Sequence, residues 1–192
     1  MYIPVNLKKG LNEFYVRGQN LSASLLFSNK PIHLNTEDAT LPSIVKGDKN
    51  NNLLGAVVVI NSTNKELKNY KIKSNLEGKE TTTTLPSIPA MSTRKVIFRL
   101  NTEAITGNSK TSCKLNLTDG NRTLDETNIA LEVADPSSEK YMNTFISNID
   151  GSLQYYAVAP KIGANEPGSA LFFSVHGAGV EAIGQARAYQ SK

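Results

Sequence analysis

The feature that most constrains this chain is a series of short strand-like segments between residues 53 and 135. Turn signals separate them at roughly the 8–12-residue spacing of a β-sandwich. Leu53 to Asn61 is strongly apolar, whereas Thr93 to Leu100 and Thr111 to Thr118 mix apolar and polar residues. Asp119-Gly120-Asn121 is a hairpin turn signal. About seven such strands predict an immunoglobulin-like β-sandwich without the cysteine pair over residues 53–135.

Alternation along these segments predicts which side chains face the core. The predicted inward-facing residues are Val57, Val59, Ile72, Ile97, Leu115, Leu117 and Leu131. Cys113 has the same parity as Leu115 and Leu117, so we expect a buried structural thiol and not a nucleophile. His33 has no evident partner ligands in the sequence, and we predict no metal site and no cofactor.

Composition limits the classes of function. The chain has 192 residues, 20% charged and 39% hydrophobic, which is typical of globular domains. The net charge is +4, but the lysines are scattered among acidic residues, and we predict no nucleic-acid partner. A single cysteine excludes an internal disulfide. No run approaches the roughly 20 apolar residues of a membrane span.

The N-terminus lacks the charged and then apolar pattern of a leader, since Met1-Tyr2-Ile3-Pro4 leads directly into an alternating segment. Threonine, serine and asparagine are abundant and tryptophan is absent, as in exported β-rich proteins. The protein is therefore either cytoplasmic or exported with its leader removed, and the composition favours a periplasmic or secreted protein whose leader is not present in this chain.

Three further regions follow from patterning. Residues 1–35 alternate around turns at Lys8-Lys9-Gly10 and Gly18-Gln19-Asn20, which predicts a β-meander. Its Lys-Lys-Gly-Leu-Asn turn resembles the closing strands of galactose-binding-like jelly rolls, so the meander is interpreted either as a remnant of one or as a hairpin lid on the next domain. Polar and turn-forming residues predict a linker over 36–52. Asp135-Pro136-Ser137-Ser138 marks the boundary to a last region, 136–192.

That last region has the order of an α/β unit. The segments Thr144 to Ile146 and Leu153 to Pro160, on either side of Asp150-Gly151-Ser152, predict a hairpin. A loop from Lys161 to Ser169 leads to Leu171 to Val175, which has the length and residue types of a buried strand. His176-Gly177-Ala178-Gly179 follows, and helical spacing continues to Tyr189.

The segment Val175-His176-Gly177-Ala178-Gly179 resembles the HGGG-type oxyanion loop of α/β-hydrolase esterases and prolyl-oligopeptidase-like peptidases. The resemblance covers about residues 140–192. It implies oxyanion-hole donors at Gly177, Ala178 and Gly179, and a downstream catalytic domain as partner. No G-x-S-x-G nucleophile motif occurs in the sequence, so we expect no catalytic residue in this chain and no hydrolase activity.

Two functions remain open at this point. The chain is either the accessory N-terminal region of a secreted or periplasmic serine hydrolase, or a non-catalytic β-sandwich binding or adhesion module. The overall prediction is a mainly β chain, with a sandwich followed by the first strands and first helix of an α/β-hydrolase domain. An unpaired apolar strand is a pairing hazard, so we expect the segment Leu171 to Val175 either to collapse onto the hairpin at Leu153 to Val158 or to self-associate with the same segment of another molecule.

Overall fold

A computed structural model describes residues 2–48, 53–107, 110–137, 139–161 and 170–188. Its strands are β1 (Ile32–Thr40), β2 (Ile44–Val45), β3 (Leu53–Asn61), β4 (Lys71–Leu76), β5 (Lys79–Thr84), β6 (Ser92–Leu100), β7 (Lys110–Asp119), β8 (Arg122–Ala134), β9 (Tyr141–Ile146) and β10 (Leu153–Val158), and its helix is α1 (Ala182–Ala188). Residues 49–52, most of the predicted loop after Lys161, and the predicted helix end at Tyr189 lie outside the described residues.

The strands form two packed sheets and a separate hairpin. One sheet has three antiparallel strands in the order β1-β3-β6. The other has five in the order β2-β8-β7-β4-β5, antiparallel except for the parallel pair β2 and β8. The hairpin β9–β10 is antiparallel, as predicted. The prediction of a mainly β chain built around a β-sandwich is confirmed.

A single apolar core fills the space between the two sheets. Strand β7 illustrates how alternation builds it, because Cys113, Leu115 and Leu117 are buried while the neighbouring Ser112 and Lys114 are exposed. Cys113 is therefore a buried thiol, as expected, and burial raises its pKa to about 12. The core residues below 2% exposure with the largest side chains are Phe98, Ile44, Ile72, Leu76, Ile88, Leu100, Leu115, Leu117, Leu131, Val57, Val59 and Val96.

One predicted core residue is wrong. Strand β6 buries Val96, Phe98 and Leu100, whereas Ile97 lies on the opposite face and is only half-buried. Ile97 has the same parity as Lys95 and Arg99, and a strand face that carries two exposed cations faces away from the core. The charges of Lys95 and Arg99 were the sequence signal that assigns Ile97 to the outer face of the strand.

The N-terminal region differs from its prediction. Residues 2–31 contain no strand, although the predicted turn at Lys8-Lys9-Gly10 is present and Asn12 closes it, since its Oδ1 accepts from Lys8 N at 2.8 Å. Strand β1 crosses the predicted boundary between residues 35 and 36, and β2 lies inside the predicted linker. Most of the large apolar side chains of 2–31 are exposed, and isolated hairpins are marginal in water. The division into domains stays a prediction.

The C-terminal region also differs. Residues 171–175 form no strand, and their apolar side chains are exposed. The helix that follows has seven residues and buries only Ile183 among those described. A strand in an α/β unit needs backbone partners at its edges. No described strand provides one for residues 171–175, because β10 pairs with β9 alone.

Candidate binding groove

The outer face of the three-stranded sheet forms the floor of an open groove of about 820 Å³, named here the outer groove. The floor is apolar and is made by Leu54 and Ala56 of β3 and by Ile97 of β6. Ala56 lies directly opposite Ile97 in the sheet register, and Leu54 lies opposite Arg99. Ile97, which was predicted to face the core, thus lies on the face that forms the floor of the outer groove.

The hairpin β9–β10 bounds one side of the outer groove. Its inner face packs on the sheet, where Thr144 Oγ1 donates to the carbonyl of Leu54 at 2.7 Å and Leu153 is buried. Ser43, which directly precedes β2, makes two hydrogen bonds to the hairpin. Ser43 N donates to Met142 O at 2.8 Å, and Ser43 Oγ accepts from Met142 N at 3.0 Å. These contacts fix the hairpin as a wall of the groove.

Charged side chains of both signs line the outer groove. Strand β1 contributes Glu37 and Asp38, and β6 contributes Lys95 and Arg99. Lys95 Nζ lies 3.0 Å from Asp38 Oδ1, so the two strands are joined by an ion pair across the floor. Arg94 and Glu181 also line the groove, which gives three acidic and three basic side chains in all.

The N-terminal segment reaches the mouth of this groove. The Tyr2 hydroxyl donates to Glu37 Oε2 at 2.7 Å, and this hydrogen bond raises the pKa of Tyr2 above its ordinary value. Further along, Asn6 Nδ2 donates to Asn64 Oδ1 at 3.1 Å. Residues 2–6 therefore lie against the sandwich beside β1.

Hydroxyl groups tie the β6 edge of the floor to the five-stranded sheet. The carbonyl oxygen of Arg99 accepts from Ser74 Oγ at 2.5 Å and from Thr81 Oγ1 at 2.6 Å. Arg99 N donates to Thr83 Oγ1 at 3.0 Å. The backbone groups that an edge strand leaves unpaired are thus satisfied by side chains of β4 and β5.

A carboxylate performs the same task at the β1 edge. Asp125 of β8 is 7% exposed, and its Oδ2 accepts from Leu34 N at 2.8 Å. Its Oδ1 lies 2.5 Å from Lys30 Nζ. Burial alone raises the pKa of Asp125, but the hydrogen bonds from Lys30 and from the backbone, with the Lys30 charge, outweigh it and lower the pKa. Both edges of the floor are therefore fixed to the opposite sheet.

The sequence did not predict the outer groove or the hydrogen bonds that fix the two edges of its floor. The groove residues come from strands far apart in the chain, and no motif links them. Asp125 did carry a signal, because it has the inward parity of Ile129, Leu131 and Val133 in the same strand. An acidic residue at a core-facing position predicts a specific partner.

The predicted oxyanion-loop residues do not line the outer groove, and they form an exposed turn before α1. Gly179 has φ +81°, and Val180 N donates to Gly177 O at 3.3 Å. His176 Nδ1 lies 3.1 Å from the carbonyl of Gly177. Gly177, Ala178 and Gly179 are exposed. Their assignment as oxyanion-hole donors stays a prediction.

Two negative findings apply to the described residues. Within them, no three His, Cys, Asp or Glu side chains are grouped closely enough to hold a metal ion. None of the helices in this part of the chain has the length and apolarity to cross a bilayer.

No family model matches the chain, and a search of curated proteins found no match. Solved structures similar to it include a domain of a candidate cell surface protein from Methanosarcina acetivorans, with 13% identity, a TM-score of 0.33, and coverage of 50% of this chain and 94% of that one. Another is the CARDB domain of a Pyrococcus furiosus protein in complex with di-metal ions, with 12% identity, a TM-score of 0.35, and coverage of 59% and 99%.

The predicted resemblance to an α/β-hydrolase is wrong. Neither of these two structures is described as a hydrolase. In the chain itself, Leu171 to Val175 does not form the strand that the oxyanion loop of that superfamily follows, and the turn at Gly177 to Gly179 is exposed.

Proposed function

We propose that this chain is a non-catalytic β-sandwich binding module whose ligand site is the outer groove. The observation that carries the proposal is the groove itself, an apolar floor between charged walls on a sheet whose two edges are fixed by Asp125 and by the hydroxyls around Arg99. A site on rigid strands binds with little loss of conformational entropy. Such a function requires neither a catalytic nucleophile nor a general base.

The lining favours a polypeptide segment of a partner protein as the ligand. Three acidic and three basic side chains surround an apolar floor, so the groove has no net formal charge. A polypeptide offers apolar and charged side chains of both signs in one strand. A nucleic acid would instead require an excess of basic groups against its phosphates.

We further propose that the module acts outside the cytoplasm, as an adhesion or recognition domain. The support is compositional, since the chain is rich in threonine, serine and asparagine and its single cysteine is buried and unpaired. Protease treatment of intact source cells, followed by detection with an antibody to the chain, tests this. Full protection of the protein until the cells are lysed would contradict it.

The binding proposal is tested by nuclear magnetic resonance on the full ¹⁵N-labelled chain. The probe is a pool of synthetic hexapeptides that alternate apolar residues with Lys or Glu. We expect amide shifts at Leu54, Ile97 and Thr83, and none at Lys73 or Asn128 on the outer face of the other sheet.

Two charge reversals of equal size give the control. Arg99→Glu alters the groove, whereas Arg122→Glu alters an exposed ion pair with Asp119 in the β7–β8 turn. We expect the peptide-induced shifts to be lost in the first variant and kept in the second. Shifts that persist in Arg99→Glu, or that fall only on the opposite face, would remove the groove as the binding site. Turnover of a p-nitrophenyl ester by the wild-type chain would contradict a non-catalytic role.

A further inference from the structure

Strand β6 is the last strand of its sheet, and the side of it that faces away from β3, named here the free edge of β6, borders the outer groove. The groove is lined by the four consecutive residues 94–97, although their side chains point alternately to opposite faces of the strand. Thr83, whose hydroxyl accepts from Arg99 N across this edge, lines the groove as well. The outer groove therefore gives access to the backbone of β6 as well as to the apolar floor.

The contacts of Arg99 show which backbone groups point to the free edge. Arg99 N and Arg99 O are bonded to hydroxyls of β4 and β5, so both groups point away from β3. In an antiparallel ladder every second residue turns its two groups to the same side, and the pairing of β3 with β6 has no register shift. The N–H and C=O groups of Lys95 and Ile97 therefore point to the free edge too. Among the described residues, none bonds to these groups there.

The segment that runs beside this edge is poorly suited to pair with it. Residues 85–89 lie there, since Arg94 Nη1 donates to the carbonyl of Ser87 at 2.7 Å. The two prolines of this segment have no N–H group. The N–H groups of Leu85 and Ile88 donate to carbonyls of other segments. Four of these five residues thus have no N–H to offer β6, which leaves its edge open at Lys95 and Ile97.

We infer that the outer groove holds its ligand by strand addition, in which an extended segment of a partner polypeptide pairs with the free edge of β6 at Lys95 and Ile97. The inference rests on the proposed binding function and adds the contact that selects the ligand. Alternating N–H and C=O groups at a sheet edge are matched by an extended polypeptide backbone. The ligand residue opposite Ile97 points to the same face and lies beside the apolar floor. An apolar residue fits that position, and the hydroxyl contacts of Arg99 end the available edge.

The charges of β6 favour a partner polypeptide over a second copy of this chain. The strand contains Arg94, Lys95 and Arg99 and no acidic residue. Lys95 reaches across the floor to Asp38, so it does not shield the free edge, whereas Arg94 donates only to the neutral carbonyl of Ser87. Two copies of β6 side by side would bring cations together, and like charges on paired strands are destabilising. A segment that alternates apolar and acidic residues matches both the floor and these cations.

Hydrogen exchange of the full ¹⁵N-labelled chain tests the inference, with the capped hexapeptide Val-Glu-Val-Glu-Val-Glu as the probe. In the free protein, the amides of Lys95 and Ile97 should exchange at least about tenfold faster than those of Val96 and Phe98, which point to β3. Saturating peptide should slow Lys95 and Ile97 at least about tenfold, because their N–H groups then donate to the ligand. Protection of these two amides without peptide, or protection that rises with protein concentration alone, would overturn the inference. The second result would identify another copy as the occupant.

Two N-methylated forms of the hexapeptide separate strand addition from other modes of binding. In an antiparallel pair, a ligand residue opposite Ile97 turns its own N–H to β6, and the next residue turns its N–H away. We expect N-methylation of the valines to weaken binding at least about tenfold, and N-methylation of the glutamates to leave it within about threefold. A loss confined to the glutamate form would support strand addition in the parallel direction.

The same peptides distinguish failure of this inference from failure of the proposed function. If both N-methylated forms bind as tightly as the unmodified peptide and shift the amides of Leu54 and Ile97, the groove binds peptides without strand addition, and only the inference is overturned. If no hexapeptide of the pool shifts any groove amide, the proposed function and the inference are both overturned.

Discussion

Two apolar stretches of this chain have similar residue types and opposite surroundings. Residues 57–60 of β3 lie between β1 and β6, and Val57 and Val59 are fully buried. None of the described strands pairs with residues 171–175, whose large apolar side chains are almost fully exposed. Apolarity alone therefore does not make a strand. A segment becomes one when other strands satisfy its backbone and a second layer covers its face.

The largest expected effect contrasts one phenylalanine from each environment. Phe98 is fully buried in the core, and Phe98→Ala should lower the free energy of unfolding by about 3–5 kcal/mol. Phe173→Ala removes the same atoms from an exposed site and should change it by no more than about 0.5 kcal/mol. Urea denaturation of the two variants at low protein concentration measures both. Equal losses would mean that residues 171–175 are covered in the folded monomer.

The next effect concerns how the sheet around β3 is held. Asp125→Asn keeps the side-chain shape but removes the charge that binds Lys30 and Leu34 N. We expect a loss of roughly 1.5–3 kcal/mol at neutral pH, as for hydrogen bonds to charged groups. Asp119→Asn, in an exposed pair with Arg122, should cost less than about 1 kcal/mol. A null result at Asp125 would show that the β1 edge is held without it.

This contribution should also depend on pH with a definite sign. The folded-state pKa of Asp125 lies below its unfolded value of about 3.9. The carboxylate therefore stabilises the fold at pH above that value, and the stabilisation is lost as the pH falls through the folded-state pKa. The difference between wild type and Asp125→Asn should be constant near neutrality and shrink below about pH 4. A difference that grows on acidification would contradict the assignment.

A smaller effect tests the close packing at the start of β3. A methyl group added at Gly55 would lie 2.6 Å from Phe98 Cζ, and Phe98 is enclosed by the core. Gly55→Ala should cost about 1–3 kcal/mol through overpacking. Gly184→Ala in α1 meets nothing within 4 Å and serves as the matched control, which should be neutral or slightly stabilising. Equal melting temperatures for the two variants would contradict this packing.

The smallest effect is expected at Ile97, on the face that forms the groove floor. Ile97 is half-buried, so Ile97→Ala should cost roughly 1 kcal/mol, well below a core truncation. The same variant should weaken peptide binding in the outer groove more than it weakens the fold. A loss as large as that of Phe98→Ala would place Ile97 in the core and reverse the register of β6.

Local patterning predicted the parts of the fold that depend on short-range signals. The sequence predicted the alternation in β7, the turn between β7 and β8, and the hairpin β9–β10. Each depends on the two-residue period of a strand and on a turn beside it. The same signals misled where a partner was absent. Residues 171–175 have the residue types of a strand, and Gly177 to Gly179 match the sequence of an oxyanion loop. Neither segment belongs to a sheet of the described structure.

The sequence by itself determined that this chain is mainly β, that Cys113 is a core residue, and where most turns lie. These follow from side-chain polarity and backbone freedom, which act over a few residues. Tertiary structure alone decided the rest. It brought Leu34 N to Asp125, the Arg99 carbonyl to Ser74 and Thr81, and β1 to β6 across the groove. Such contacts join residues distant in the chain, and no local rule specifies which distant groups will meet.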